Sequence, residues 1–282
     1  MLLGMLKVFT FFYNRYTDAT TSLALKDNGI EHTVLIHKEE DYLKFKEGGT
    51  IGGVPVITNQ PKGLAYQRNA ALDLMEEDEW AVFMCDDFKE IRSYPVKEIL
   101  NKHTKIDITF ENQKQYSLRQ DKFKMSIKEM FTMFPRLIET AEQNKIKLIG
   151  FGLHDNPLNL GRKFATRGLA DGRFWLVKKS DYRFDENVQM VDDVAWTAEN
   201  LIRHNNVLIL NWTVPYFKRY TAGAFGSIEE RKEQRLRECK YLANKFNPLI
   251  KIAKKVHWDY GTHVRIYGSN NNIKKARLNN GL

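Results

Sequence analysis

Trp80-Ala81-Val82-Phe83-Met84-Cys85-Asp86-Asp87 is the stretch on which the fold turns. Trp80–Met84 is an unbroken apolar run of strand length, as expected of a strand buried on both faces of a parallel sheet. It runs directly into two adjacent carboxylates. In an open parallel sheet, ligands bind beyond the carboxyl ends of the strands. The pair Asp86–Asp87 is therefore expected at the mouth of a crevice. Neighbouring carboxylates repel, and a divalent cation such as Mg²⁺ or Mn²⁺ would neutralise them. The plainer alternative is a pair of loop aspartates that cap the next segment.

Upstream, strands and helices alternate. Leu6–Phe12 reads as a first strand rather than a signal peptide, because no charged segment or small-residue cleavage site accompanies it. Thr17 or Asp18 can cap a helix that Gly29 stops. Glu31–His37 alternates as a strand, Lys38–Glu47 is a charged helix, and Val54–Thr58 is a short strand after the glycine-rich break at Gly48–Gly53. Gly63–Met75 has helical periodicity. The expectation is an α/β, doubly wound, mostly parallel sheet.

Downstream the pattern loosens. Ile106–Phe110 and Gln115–Leu118 can pair as strands, and Ser126–Asn144 is a strongly amphipathic helix. Lys147–Phe151, Phe174–Val177 and Val207–Leu210 read as strands, Asp193–His204 as a helix, and Ser227–Lys255 as a basic helix. Ser269–Leu282, rich in Asn and Lys, reads as a loose tail. Two units follow, a nucleotide-binding domain over residues 1–226 and a basic helical extension over 227–282.

The net charge of +9 is unevenly spread. Residues 231–282 hold 13 Lys/Arg against three Asp/Glu, whereas the rest of the chain holds 31 against 32. Such asymmetry suits a polyanion or an anionic surface, or else a solvated basic helix. Cys85 and Cys239 have neither metal nor redox spacing, which points to a reducing, cytoplasmic setting. No apolar run reaches the ~18 residues of a membrane span.

Two further clusters can carry chemistry. Arg68, in Gly63-Leu64-Ala65-Tyr66-Gln67-Arg68-Asn69, can face a diphosphate or nucleoside, or simply solvent. Asp192 and Asp193 begin a helix and complement its dipole. Alternatively, one of them serves as a general base.

In this order the segments resemble the GT-A glycosyltransferases of the inverting family 2 type, over about residues 6–226. The resembling residues are Arg68-Asn69, the acidic pair Asp86-Asp87, Phe184-Asp185-Glu186, the pair Asp192-Asp193, and the small-residue stretch Thr221–Gly226. More narrowly, the chain looks like the phage-type and TET-associated glycosyltransferases that modify hydroxymethylated bases in DNA. The leading aspartate of the family's Asp-x-Asp motif is replaced here by Cys85.

The resemblance implies a GT-A (Rossmann-like) fold. It implies a nucleotide sugar, a UDP-sugar, bound with Mn²⁺ or Mg²⁺. Tyr13 and Arg15 would contact the base or phosphates. Asp86 would touch the ribose or share the metal, Asp87 would hold the metal, and Arg68 would offset the diphosphate. Asp193, beside Asp192, would deprotonate the acceptor. His257 or His263 would complete the metal site. The acceptor would be hydroxymethylcytosine in double-stranded DNA, gripped by Arg231–Lys255 and by Lys274, Lys275 and Arg277.

Two rival readings keep the fold. One is the same chemistry on a surface polysaccharide, lipid or protein. The other is a noncatalytic nucleic-acid-binding protein on a degenerate transferase fold. A nucleotidyltransferase lacks support, because no glycine-rich, lysine-bearing loop follows the first strand.

Overall fold

The structure, a computed structural model, describes residues 6–12, 14–93, 123–152, 164–218, 227–253 and 262–282. Tyr13, the strands expected at 106–110 and 115–118, the 221–226 stretch and His257 lie outside the described residues.

An eight-stranded mixed sheet forms the centre, in the order β3-β2-β1-β4-β9-β7-β10-β8. Its strands are β1 (Lys7–Phe11), β2 (Thr33–Ile36), β3 (Val54–Ile57), β4 (Trp80–Cys85), β7 (Leu148–Phe151), β8 (Phe164–Ala165), β9 (Phe174–Lys178) and β10 (Leu208–Leu210). All run parallel except β9 and β8. Edge strand β3 is blunted by Pro55, which cannot donate to another strand.

Side-chain alternation divides the core between the two faces. Phe9, Phe83, Trp175 and Val177 face α3 (Leu64–Asp73) and α5 (Asp192–His204). Val8, Val82, Met84 and Leu176 face α1 (Thr21–Asp27) and α4 (Ile127–Gln143). Helix α4 starts on a capping box in which Ser126 and Glu129 satisfy each other's backbone N–H groups. Helix α2 (Glu39–Glu47) covers a smaller cluster around Phe12, Val34, Ile36 and Phe45.

The chain winds outward from β1 through α1, β2 and α2 to β3. Helix α3 then returns it to β4, on the other side of β1. The switch point therefore lies between β1 and β4, whose ends are in register at Phe11 and Cys85. The residues that leave these two strands emerge side by side.

Several expectations need correction. Helix α1 begins at Thr21, later than Thr17 or Asp18, because the Thr20 hydroxyl donates to the Phe88 carbonyl and Asp18 pairs with Lys218. Asp86–Asp87 is followed at once by β5 (Phe88–Ser93), central in a small sheet with β6 (Phe123–Met125) and β11 (Thr213–Phe217). The C-terminal part is not one helix. Helix α6 (Ile228–Lys245) ends before Pro248, and an antiparallel ribbon follows, β12 (Ile250–Ile252) with β13 (Val264–Ile266). The tail is not loose, for Ser269 caps α7 (Asn270–Asn279), which buries Ile273 and Ala276. Leu242, Phe246, Ile250, Val264 and Ile273 join the same cluster as Phe9 and Trp175, so this part shares the main core. Among the described residues no helix is long and apolar enough to cross a membrane.

Candidate functional site

A cleft of about 340 Å³ opens at the carboxyl edge of the sheet, over the switch point. Asp86, Asp87, Asp192 and Asp193 all line it, together with Arg15, Arg68 and the loop Asp171-Gly172-Arg173. Two acidic pairs about a hundred residues apart in sequence thus share one wall space. A second cleft, of about 420 Å³, lies at the opposite edge among Leu6, Trp80, Phe134 and Ile138. Its rim of Glu76, Glu77, Asp78, Glu79 and Glu139 would repel a phosphate, so the smaller cleft is the better candidate for an anionic ligand.

The Asp86–Asp87 turn is pinned by the start of α1. The Asp86 carbonyl accepts from the Thr20 and Thr21 amides at 2.8 and 3.2 Å, and the Thr21 hydroxyl accepts from the Phe88 amide at 2.9 Å. Both carboxylates are buried. Arg15, just past β1, answers them: its Nη1 lies 2.7 Å from Asp86 Oδ1 and 2.7 Å from Asp87 Oδ2. Burial pulls the Arg15 pKa down, but the two carboxylates outweigh it and leave it raised. Burial pushes Asp87 up, against the pull of Arg15.

Arg68 has a different role from the one expected. Its side chain is 1% exposed and is fixed on the Asp192 carboxylate and the Gly172 carbonyl. Its guanidinium lies over Trp175 at 4.4 Å and near Phe184 at 5.5 Å. It forms part of the cleft wall, and its charge is answered within the protein. Burial pushes Asp192 up, and Arg68 restrains the shift. Neighbouring Asn69 ties α3 to the 184–186 segment, donating to the Phe184 carbonyl at 3.1 Å and accepting from the Phe184 amide at 2.8 Å.

Asp193 stands partly exposed in the cleft, its Oδ1 accepting from the Val194 amide at 2.8 Å. Burial raises its pKa, nearby Asp171 adds to the rise, and Arg235 and Arg68 oppose it. A carboxylate so tuned is a stronger base than a free aspartate. Gly172 makes the close approach possible, since a Cβ there would sit 2.8 Å from the Asp193 Cβ and 3.1 Å from Trp175.

Three site residues escaped the sequence reading. Asp171 and Arg173 flank Gly172 and pair with each other, Arg173 Nε lying 2.9 Å from the Asp171 carboxylate. A short Asp-Gly-Arg turn ahead of a strand was their only local signal. Glu238, from α6, accepts the amides of Gln189, Met190 and Val191 at 3.1, 2.8 and 3.2 Å. It thereby fixes the turn that delivers Asp192 and Asp193. Nothing in the sequence sets it apart from Glu233 in the same basic stretch. Glu238→Ala leaves three backbone donors without their carboxylate and is expected to cost about 3 kcal/mol, with Glu238→Gln milder. Urea unfolding of the two variants measures this.

His263 does not line the cleft; it lies just before β13. Among the described residues no group of three or more His, Cys, Asp and Glu gathers as a metal cage. Asp86 and Asp87 nevertheless turn two carboxylate oxygens on one cationic point, at present Arg15 Nη1. Two carboxylates completed by substrate phosphates are a donor set that Mg²⁺ accepts.

No protein-family model and no curated protein sequence matches the chain. Among solved structures, mannose-6-phosphate isomerase from Helicobacter pylori is 9% identical with a TM-score of 0.31, over 96% of this chain and 88% of that one. Likeness at that level carries no argument about fold or function.

Proposed function

We propose that the chain is an inverting glycosyltransferase of GT-A type. It would move a sugar from a nucleotide sugar, such as a UDP-sugar, to a hydroxymethylated pyrimidine in DNA. The observation that carries this reading is the convergence of Asp86–Asp87 and Asp193 on one cleft over the switch point.

The nucleoside diphosphate lies across the ends of β1 and β4, where Arg15 and Arg173 face its charge. Asp86 and Asp87 are the residues that would hold a divalent cation. When bound, such an ion supplies Lewis-acid stabilisation of the departing diphosphate. Arg68 acts one step back, keeping Asp192 and the Gly172 loop in place. Asp193 accepts the proton of the acceptor hydroxyl. That oxygen bonds to the anomeric carbon as the bond from this carbon to the diphosphate oxygen breaks. The nucleoside diphosphate leaves with the bonding electrons, and one displacement inverts the anomeric centre.

The experiment is sugar transfer itself: a panel of UDP-sugars, Mn²⁺ and hydroxymethylcytosine DNA, read as a mass gain on the nucleoside. The acceptor assignment draws on the basic C-terminal part, where residues 240–282 hold nine Lys/Arg and one Asp.

A further inference from the structure

We propose that the ribbon β12–β13 is a docking surface for the phosphate backbone of duplex nucleic acid. Its role in presenting an acceptor rests on the transferase reading; its binding chemistry does not.

Lys251 and Arg265 face each other across the two strands. Like charges placed directly opposite destabilise a sheet. Both side chains are exposed, and among the described residues neither makes an ion pair. The inner face of the ribbon is ordinary, with Ile250 and Val264 buried in the main core. The outer face adds Tyr267, 43% exposed, with the Lys251 ammonium 5.4 Å from its ring centroid. The following turn packs on Arg167: a Cβ at Gly268 would lie 2.9 Å from the Arg167 Cβ. The buried Nε of Arg167 has no acceptor among the described residues. Two exposed cations and an exposed aromatic ring thus share the outer face of the ribbon, at a stability cost that a polyanion would relieve. A two-stranded ribbon is also a shape that a DNA groove admits.

The ribbon is tied to the candidate site. The Thr262 carbonyl, next to β13, accepts from Arg235 Nε of α6 at 2.9 Å, and Arg235 is close enough to lower the Asp193 pKa. Glu238, one turn further along α6, holds the Asp192–Asp193 turn. A duplex on the ribbon would lie against the helix whose Glu238 holds the turn that leads into Asp192 and Asp193.

The test is fluorescence anisotropy with an unmodified, random-sequence DNA duplex, titrated between about 50 and 200 mM salt. The wild-type protein is expected to bind, with an affinity that falls steeply over that range. K251A/R265A is expected to lower the slope of log affinity against log salt by about two. K44A/K46A, on α2, should leave it unchanged. R265E keeps the test clear of misfolding: with opposite charges across the ribbon its Tm should hold or rise while duplex binding weakens at least tenfold. A flat salt response, an unchanged K251A/R265A slope, or binding to phosphatidylserine vesicles but not to the duplex would overturn the proposal. UDP-sugar hydrolysis separates the two readings. Hydrolysis without duplex binding sinks the ribbon and spares the transferase; duplex binding lost in K251A/R265A, with no hydrolysis by any variant, does the reverse.

Discussion

Asp193→Asn is expected to lower the turnover of sugar transfer about a thousandfold while leaving donor affinity within about a factor of two. The amide preserves the shape of the side chain and can still accept from the Val194 amide, but it cannot take a proton. A loss confined to turnover distinguishes a base from a donor-binding group. The wild-type rate should rise with pH through the raised Asp193 pKa and then level off, and the residual rate of the variant should lack that limb. Stability should move the other way. The folded pKa lies above the unfolded value of ~3.9, so the native state holds this proton to higher pH than the unfolded chain. Wild-type stability therefore declines as pH rises through that interval. Asp193→Asn escapes the decline. It should unfold at a higher temperature than the wild type at pH 7.5 and at the same temperature below about pH 4. Thermal unfolding at the two pH values reads the difference.

Arg68→Met is expected to be the most damaging single change to stability, at about 3–5 kcal/mol. The side chain sits between Asp192, the Gly172 carbonyl and the rings of Trp175 and Phe184. Methionine fills much of the space and keeps the aromatic contacts, but leaves the Asp192 carboxylate buried without its cation. The Asp192 pKa, already raised by burial, should climb further, so the deficit should shrink at acid pH where that group is neutral. R68M/D192N, with neither charge, should recover most of the loss. Urea unfolding of both variants at pH 7.5 and pH 5 tests this. If R68M lies within about 1 kcal/mol of wild type, Arg68 does not hold Asp192 and the Gly172 loop in place.

The sheet centre was legible because β1 and β4 are apolar runs that end abruptly, in Asp86–Asp87 for β4. Helix α4 was legible from its amphipathic stripe. The short strands of the small sheet and of the ribbon were not. Thr213–Phe217 contains Pro215, which argues against a strand, and it pairs only because β5 lies beside it. Ile250–Ile252 and Val264–Ile266 are three residues each inside a basic stretch, too short for any period to register. Helix α7 has few apolar residues, and it is its tertiary contacts that hold it, among them Arg277 Nε to the Ile202 carbonyl. At the site, both acidic pairs could be found from sequence because each sits at an element boundary. The contacts that answer and fix them could not. Arg68 and Asp192 are 124 residues apart, Glu238 reaches Val191 from 47 residues away, and neither pairing has a local signature.

The central claim is that the cleft holding Asp87 and Asp193 transfers a sugar to a hydroxymethylated base. It is tested most directly by incubating the protein with UDP-sugars, Mn²⁺ and hydroxymethylcytosine DNA, digesting the DNA, and weighing the nucleosides. The account predicts a hydroxymethyl-deoxycytidine species heavier by one sugar residue with the wild-type protein and none with Asp193→Asn. Equal product from both proteins, or none from the wild type with any donor, would contradict it.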